Sequence, residues 1–271
     1  MAIVLESSRT KAGAFGFSGM NIHVINLRRR NDRREQFLGW NTRQGLSFSF
    51  FDAVEGNEAL RADLVERGLL NDSEHWFTLG SLGSAMSHRT LLQRCLAENE
   101  NFLIAEDDAC LRSDFTAMLP EVIARAGPDW DLIYLGYNTD ATIAIENADG
   151  SVSSIAFDDS IKGQSTFFEE FRTAAYESEP PHVARCYQAW GLLAYVVSPA
   201  GASKLCQRCF PLDSHNVIEM IGEDRLIRPT SFDGMVNIAL KSGIRAFCCL
   251  PPLALSPNDH ADSDTRIRPK S

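Results

Sequence analysis

The chain has 271 residues, 44% hydrophobic and 23% charged, which is the composition of an ordinary globular protein long enough for one sizeable core. Its 36 acidic against 26 basic side chains leave a formal charge of −10, so it lacks the basic footprint that nucleic-acid binding or a strongly anionic membrane surface would need. No apolar run reaches the ~20 residues that span a bilayer, the start Ile3-Val-Leu5 followed by Glu6 is not a signal-peptide pattern, and seven cysteines without framework spacing suit reduced thiols in a cytoplasmic protein.

In chain order, residues 1–20 form a loose, glycine-containing lead-in. Ile22–Leu27 reads as a first strand. Asn31 or Asp32 then caps a helix to about Gln44, with Glu35 completing a capping box and Gly45 as the stop. Ser47–Val54 is an aromatic-rich second strand, and strand, helix and strand within ~35 residues make a βαβ unit with parallel pairing. Residues 57–79 are polar and helical in part. A helix from Ser81 to about Glu98 feeds a strand at Phe102–Ala105, and Trp130–Gly136 is another strand after the Gly127-Pro128 break. Residues 138–188 are polar and aperiodic, and read as loops and short strands inserted over a site as a lid or acceptor wall. Gly191–Val197 is a strand, Ser198 and Pro199 start a helix to about Cys209, 211–230 is irregular, Asp233–Ser242 is helical, and Arg245–Leu250 is the last strand. A single domain over 21–260 with a disordered tail from 261 follows. Cys206, Cys209, Cys248 and Cys249 could be drawn as zinc ligands, but buried thiols are the better reading.

The stretch that carries chemistry is Phe102-Leu-Ile-Ala-Glu-Asp-Asp108, an apolar run ending in three carboxylates. If the backbone stays extended, Glu106 and Asp108 share one side and Asp107 takes the other. Like charges about 4 Å apart repel by roughly 4 kcal/mol at an effective dielectric near 20. A divalent cation such as Mg²⁺ or Mn²⁺, completed by water and phosphates, relieves that repulsion; a solvated turn, with Ser113 or Asp114 capping a following helix, is the plain alternative. In an open α/β sheet the carboxyl ends of the strands are where ligands bind.

Five segments in order resemble glycosyltransferase family 25, which includes bacterial lipooligosaccharide galactosyltransferases and collagen galactosyltransferases. They are Val24–Leu27 with Asp32-Arg-Arg34, Phe51–Gly56, Gly80–His88, Ile104–Asp108 and Ala194–Leu205. A weaker match runs through Asp233 and Pro251 to Ser263-Asp264. Arg28 departs from the family's usual acid, and 138–188 and 211–230 match little.

The resemblance implies a GT-A type, Rossmann-like α/β fold with a mixed, mostly parallel sheet flanked by helices. It also implies a UDP-sugar donor, with galactose ahead of glucose, a Mn²⁺ or Mg²⁺ ion, inversion at the anomeric carbon, and a saccharide or glycoconjugate acceptor such as lipooligosaccharide. Glu106 and Asp108 would hold the metal, with His260 completing its shell or lying on the surface. Asn26, Arg33, Ala53, Gly56, Ser87, His88 and Asp107 fall where donor contacts are expected. For each there is a plainer role: a solvated helix start for Arg33, a tight turn at Gly56, a core histidine for His88. Ser87 and His88 near a helix start would also favour an anion. Asp233 is the leading base for the acceptor hydroxyl, with Glu223, Glu219 and Asp224 as rivals. The other readings are a metal-dependent phosphoryl or nucleotidyl transferase, disfavoured by the lack of a Gly-rich Lys-Ser/Thr loop, and a non-catalytic sugar-nucleotide or glycan-binding module.

Overall fold

The computed structural model describes residues 21–43, 45–175, 180–257, 259 and 262–266. The first half alternates strand and helix: β1 (Asn21–Asn26), α1 (Asn31–Asn41), β2 (Ser47–Asp52), α2 (Glu58–Glu66), β3 (Leu70–Asn71), α3 (Leu79–Glu98), β4 (Phe102–Glu106), β5 (Cys110–Leu111), α4 (Phe115–Ala126) and β6 (Leu132–Gly136). The second half holds β7 (Ile143–Glu146), β8 (Val152–Ile155), α5 (Phe167–Thr173), β9 (His182–Gln188), β10 (Ala194–Val197), α6 (Pro199–Arg208), β11 (Leu212–Asp213), β12 (Ile218–Glu219), β13 (Leu226–Ile227), α7 (Phe232–Leu240), β14 (Ala246–Leu250) and β15 (Ala254–Leu255).

Among the described residues one large mixed sheet runs in the order β2-β1-β4-β10-β6-β14-β9-β7-β8, with β15 joining β5 and β6. Strands β2, β1, β4, β6 and β14 point one way, because β1 pairs parallel with both neighbours and β10 lies antiparallel to β4 and β6. The carboxyl ends of β1, β2, β4 and β6 and the amino end of β10 therefore meet at one edge, where ligands bind in such sheets.

Period-two alternation sorts the core into two layers. Ile25 of β1 and Phe102 and Ile104 of β4 face a cluster that takes in α3, α6 and α7. Ile22, Val24, Leu103 and Ala105 face the other, packed on Phe37 of α1 and on α4. The α/β class, the first βαβ unit and the Ser198 cap, which accepts the Gly201 N–H at 3.0 Å, agree with the sequence reading.

Four details differ. No capping box forms on α1, because Arg30 draws the Asp32 carboxylate to its guanidinium at 2.8–3.2 Å. Helix α3 begins at Leu79, capped by Thr78, whose hydroxyl accepts the Ser81 N–H. Within 138–188 the strands β9, β7 and β8 extend the sheet, where loops and short strands over the site were expected; β9 alternates half-buried and buried residues between β14 and β7. Residues 262–266, assigned from sequence to a disordered tail, are packed against the head of α1, for reasons given below.

The end of α1 braces the turn after β4. Asn41 is fully buried, donates from Nδ2 to the Ala109 carbonyl and accepts the Leu111 N–H, both at 2.8 Å. Asn41→Ala should therefore leave two buried backbone groups unpaired and lower the unfolding free energy by about 3 kcal/mol in urea denaturation.

Candidate functional site

A cleft of about 770 Å³ opens at the shared strand edge, and Arg33, Ala53, Gly56, His88, Glu106, Asp107, Asp108 and Asp233 all line it. Strand β4 ends at Glu106, whose N–H bonds the Leu193 carbonyl before β10, and the chain then turns so that the Ala109 N–H returns to the Glu106 carbonyl at 3.2 Å. Extended alternation does not continue past Glu106, yet the turn gives a similar partition.

Asp107 swings toward β1, where Oδ2 accepts the Asn26 amide at 2.7 Å and Oδ1 accepts Arg33 Nη1 at 3.0 Å. Burial pushes its carboxyl up, opposed by Arg33 and Asn26. Asp108 goes the other way: Oδ2 accepts the Ser256 hydroxyl at 2.8 Å, and Oδ1 is shielded from solvent with no hydrogen-bond partner among the described residues. Burial, then repulsion from Glu106, raises Asp108 to about 7. Glu106 remains partly exposed, with Oε1 3.4 Å from His88 Nε2.

The glycine-rich segment 80–88 has a steric explanation. A Cβ on Gly83 would stand 2.4 Å from the Val54 carbonyl oxygen and 2.8 Å from the Gly56 nitrogen, and one on Gly56 would stand 1.8 Å from the Leu79 carbonyl oxygen. Helix α3 thus lies backbone against backbone on the loop after β2. Ser87 completes the contact by accepting the Val54 N–H at 2.8 Å while donating to Gly83 O at 2.8 Å. It is fully buried and does not reach the cleft. Because α3 starts at Leu79, Ser87 and His88 lie in its third turn, beyond the reach of its dipole; of the cleft-lining serines only Ser81 lies in the first turn.

His88 is buried, stacked on Phe232 with ring centroids 5.5 Å apart, and its Nδ1 meets the Tyr195 hydroxyl at 2.9 Å. It is both a satisfied core histidine and the support behind Glu106. Asp233, in the first turn of α7, accepts the Gly191 N–H at 2.7 Å on Oδ2, and the Gly234 N–H at 2.9 Å and the Ser231 hydroxyl on Oδ1. Glu223 does not join the site. It lines a separate shallow depression with Glu219 and Asp224, paired to Arg225 at 3.1 Å. His260 lies outside the described residues.

The head of α1 is held by acids from the far end of the chain. Asp264 takes Arg29 at 2.7 Å and Arg30 at 2.6 Å, and Asp262 takes Arg30 at 2.7 Å and Arg33 at 3.1 Å. The strap then reaches α3: Thr78 donates to the Thr265 carbonyl at 2.5 Å, and a Cβ on Gly80 would stand 2.0 Å from the Asp264 carbonyl oxygen. Arg33, expected near phosphates or in solvent, thus has its fork filled by Asp107 and Asp262, while Arg34 lies over Phe50, 4.2 Å from the ring centroid.

Among the described residues no three His, Cys, Asp or Glu assemble as a ready metal-ligand set. The reason is local, since Asp107 is committed to Arg33 and Asn26. Glu106 and Asp108 remain, and the unpartnered Asp108 Oδ1 is the acceptor a cation would satisfy. Two carboxylates completed by water and substrate oxygens are a usual Mg²⁺ environment, so the donor set fits. Sequence reasoning missed Ser256, Tyr195 as a partner of His88, and Asp262; only Ser263-Asp264, at the end of the weaker family match, hinted at the strap.

These features define an α/β protein with a cleft of acids at its strand ends, and comparison with known sequences gives its class. The profile of glycosyltransferase family 25 (LPS biosynthesis protein) matches residues 20–218. The chain belongs to that family. A Bos taurus protein named probable inactive glycosyltransferase 25 family member 3 is 28% identical over 90% of this chain and 38% of its own length. An Aedes aegypti glycosyltransferase 25 family member is 32% identical over 43% of the chain and 21% of its own length. Human procollagen galactosyltransferase 2 is 30% identical over 42% of the chain and 20% of its own length. The chain therefore spans well under half the length of these relatives.

The strap generates a pH prediction. Arg30, then Arg33, holds Asp262 below the usual carboxylate range; burial opposes the same shift in Asp264, but Arg29 and Arg30 together bring it down. A depressed folded pKa contributes stability that is fully present above the unfolded value of about 3.9 and is lost as pH falls through the folded value. Hydrogen exchange of the 262–266 segment, corrected for intrinsic rate, should hold steady from pH 8 to 5 and rise below about pH 4.

Proposed function

We propose that this chain is a cytoplasmic, metal-dependent inverting transferase that moves a hexose, galactose ahead of glucose, from a UDP-sugar to a hydroxyl of a saccharide or glycoconjugate such as lipooligosaccharide. The observation that carries this reading is the turn after β4, where Glu106 and Asp108 face a cleft and Asp108 keeps one shielded oxygen without a partner among the described residues. The family's description as an LPS biosynthesis protein supports the acceptor class, and the human procollagen galactosyltransferase supports the sugar. Seven free thiols and no helix long and apolar enough to cross a membrane, among the described residues, support the compartment.

Glu106 and Asp108 would hold a Mn²⁺ or Mg²⁺ ion, which supplies positive charge for a departing diphosphate, worth several kcal/mol. The protein's own groups do the rest. Arg33 and Asn26 fix Asp107 at the β1 side, where a ribose hydroxyl would meet it. His88 holds Glu106 in place from behind. Ala53 and Gly56, kept close to α3 by the absence of side-chain bulk, leave backbone open for a uracil ring. Asp233, which lines the cleft where Glu223 does not, receives the proton of the attacking hydroxyl through Ser231, whose hydroxyl already bonds its Oδ1.

Asp108→Asn removes a repelled charge and should leave the thermal midpoint unchanged or higher, while Mn²⁺-dependent UDP-hexose hydrolysis and transfer fall at least about 100-fold. Unchanged turnover would remove Asp108 from the reaction. Asp233→Asn should keep Mn²⁺-enhanced UDP binding in calorimetry and lose transfer. Relatives named inactive give weight to a binding-module reading, which Mn²⁺-enhanced UDP binding without turnover of any UDP- or GDP-hexose would establish.

A further inference from the structure

Among the described residues, seven large hydrophobic side chains are exposed, and Trp76 is both the one aromatic among them and the one that lines the cleft. It is 43% exposed, yet the loop that presents it is built with buried parts. The Asp72 carboxylate, wholly out of solvent, accepts the N–H groups of Trp76 at 2.8 Å and Phe77 at 3.0 Å and pairs with Arg61 at 3.3 Å. Arg61 also donates to the Phe77 carbonyl at 2.6 Å. His75 is left in the left-handed region at φ 57°, a conformation that costs a non-glycine residue and persists where its surroundings impose it. Phe77 anchors the other side as a fully buried side chain.

The ring is fixed as well as its backbone. Its Nε1 donates to Glu74 Oε2 at 2.9 Å, and the Arg228 guanidinium lies 5.5 Å from the ring centroid. A tethered indole that lines the cleft, with the Arg228 guanidinium over its ring and 3.9 Å from Glu74, meets the two things a pyranose offers: C–H groups on one face and hydroxyls on the rim. Arg228 stands five residues before Asp233, and Thr230 and Ser231 between them line the same cleft as Trp76. The ring thus touches, through Arg228, the segment that brings the proposed base to the cleft.

We propose that Trp76 is the stacking platform for the sugar ring of the acceptor, with Arg228 supplying hydroxyl contacts beside it. This rests on the transferase reading and names where its second substrate sits. With lactose as the acceptor probe, Trp76→Ala should raise the acceptor KM about tenfold, the size expected of a lost stacking surface, and Trp76→Phe should recover most of it. Galactose, glucose or lactose added without donor should change the tryptophan fluorescence of the native chain saturably, and Trp76→Phe should abolish that change. A rise confined to the donor KM would make the ring a nucleobase platform and overturn the proposal, as would no saturable response to any of the three sugars. UDP-hexose turnover with an unaltered acceptor KM in Trp76→Ala overturns the platform alone. A sugar-dependent fluorescence change in a chain that turns over no UDP-hexose keeps the platform and overturns the transferase.

Discussion

Three carboxylates at the end of a buried strand repel one another, and the layout of the cleft follows from how that repulsion is distributed. The turn after Glu106 sends Asp107 to a guanidinium and an amide on the β1 side and Asp108 to a hydroxyl before Pro257, leaving Glu106 against a histidine. Each partner comes from a different element, so α1, α3, β1 and the segment after β15 are all tied to one short stretch of chain. Burial first, and the remaining repulsion from Glu106 second, lift Asp108 to about 7.

Much of this was legible in the amino-acid order because local rules apply there. The βαβ start, the Ser198-Pro199 cap and the apolar run into Glu106 are signals carried by neighbouring residues. The reversal of β10 between β4 and β6 was not legible, since a four-residue buried strand reads the same in either direction and its partners lie more than 50 residues away. The capping box failed because Arg30, a neighbour outside the pattern, outcompeted the backbone for Asp32. The pairing of Arg30 and Arg33 with Asp262 spans more than 220 residues, and only the neighbouring Ser263-Asp264, at the end of the weaker family match, hinted at it.

Backbone contact explains motifs that would otherwise look like flexible glycine. Gly56, Gly80 and Gly83 are places where carbonyl oxygens of other segments stand closer than any side chain would permit. Flexibility is not their use here. They let α3, the loop after β2 and the strap touch along one wall of the cleft.

The bond from Ser256 to Asp108, together with the grip of Asp262 and Asp264 on the first helix, also makes the cleft a joint product of segments that lie more than 140 residues apart. A polypeptide cut just before Ser256 would keep all five of the family segments and still lose the hydroxyl that holds Asp108 and the carboxylates that clamp Arg29, Arg30 and Arg33. Possession of the motifs and possession of an assembled cleft are therefore separable properties of this fold.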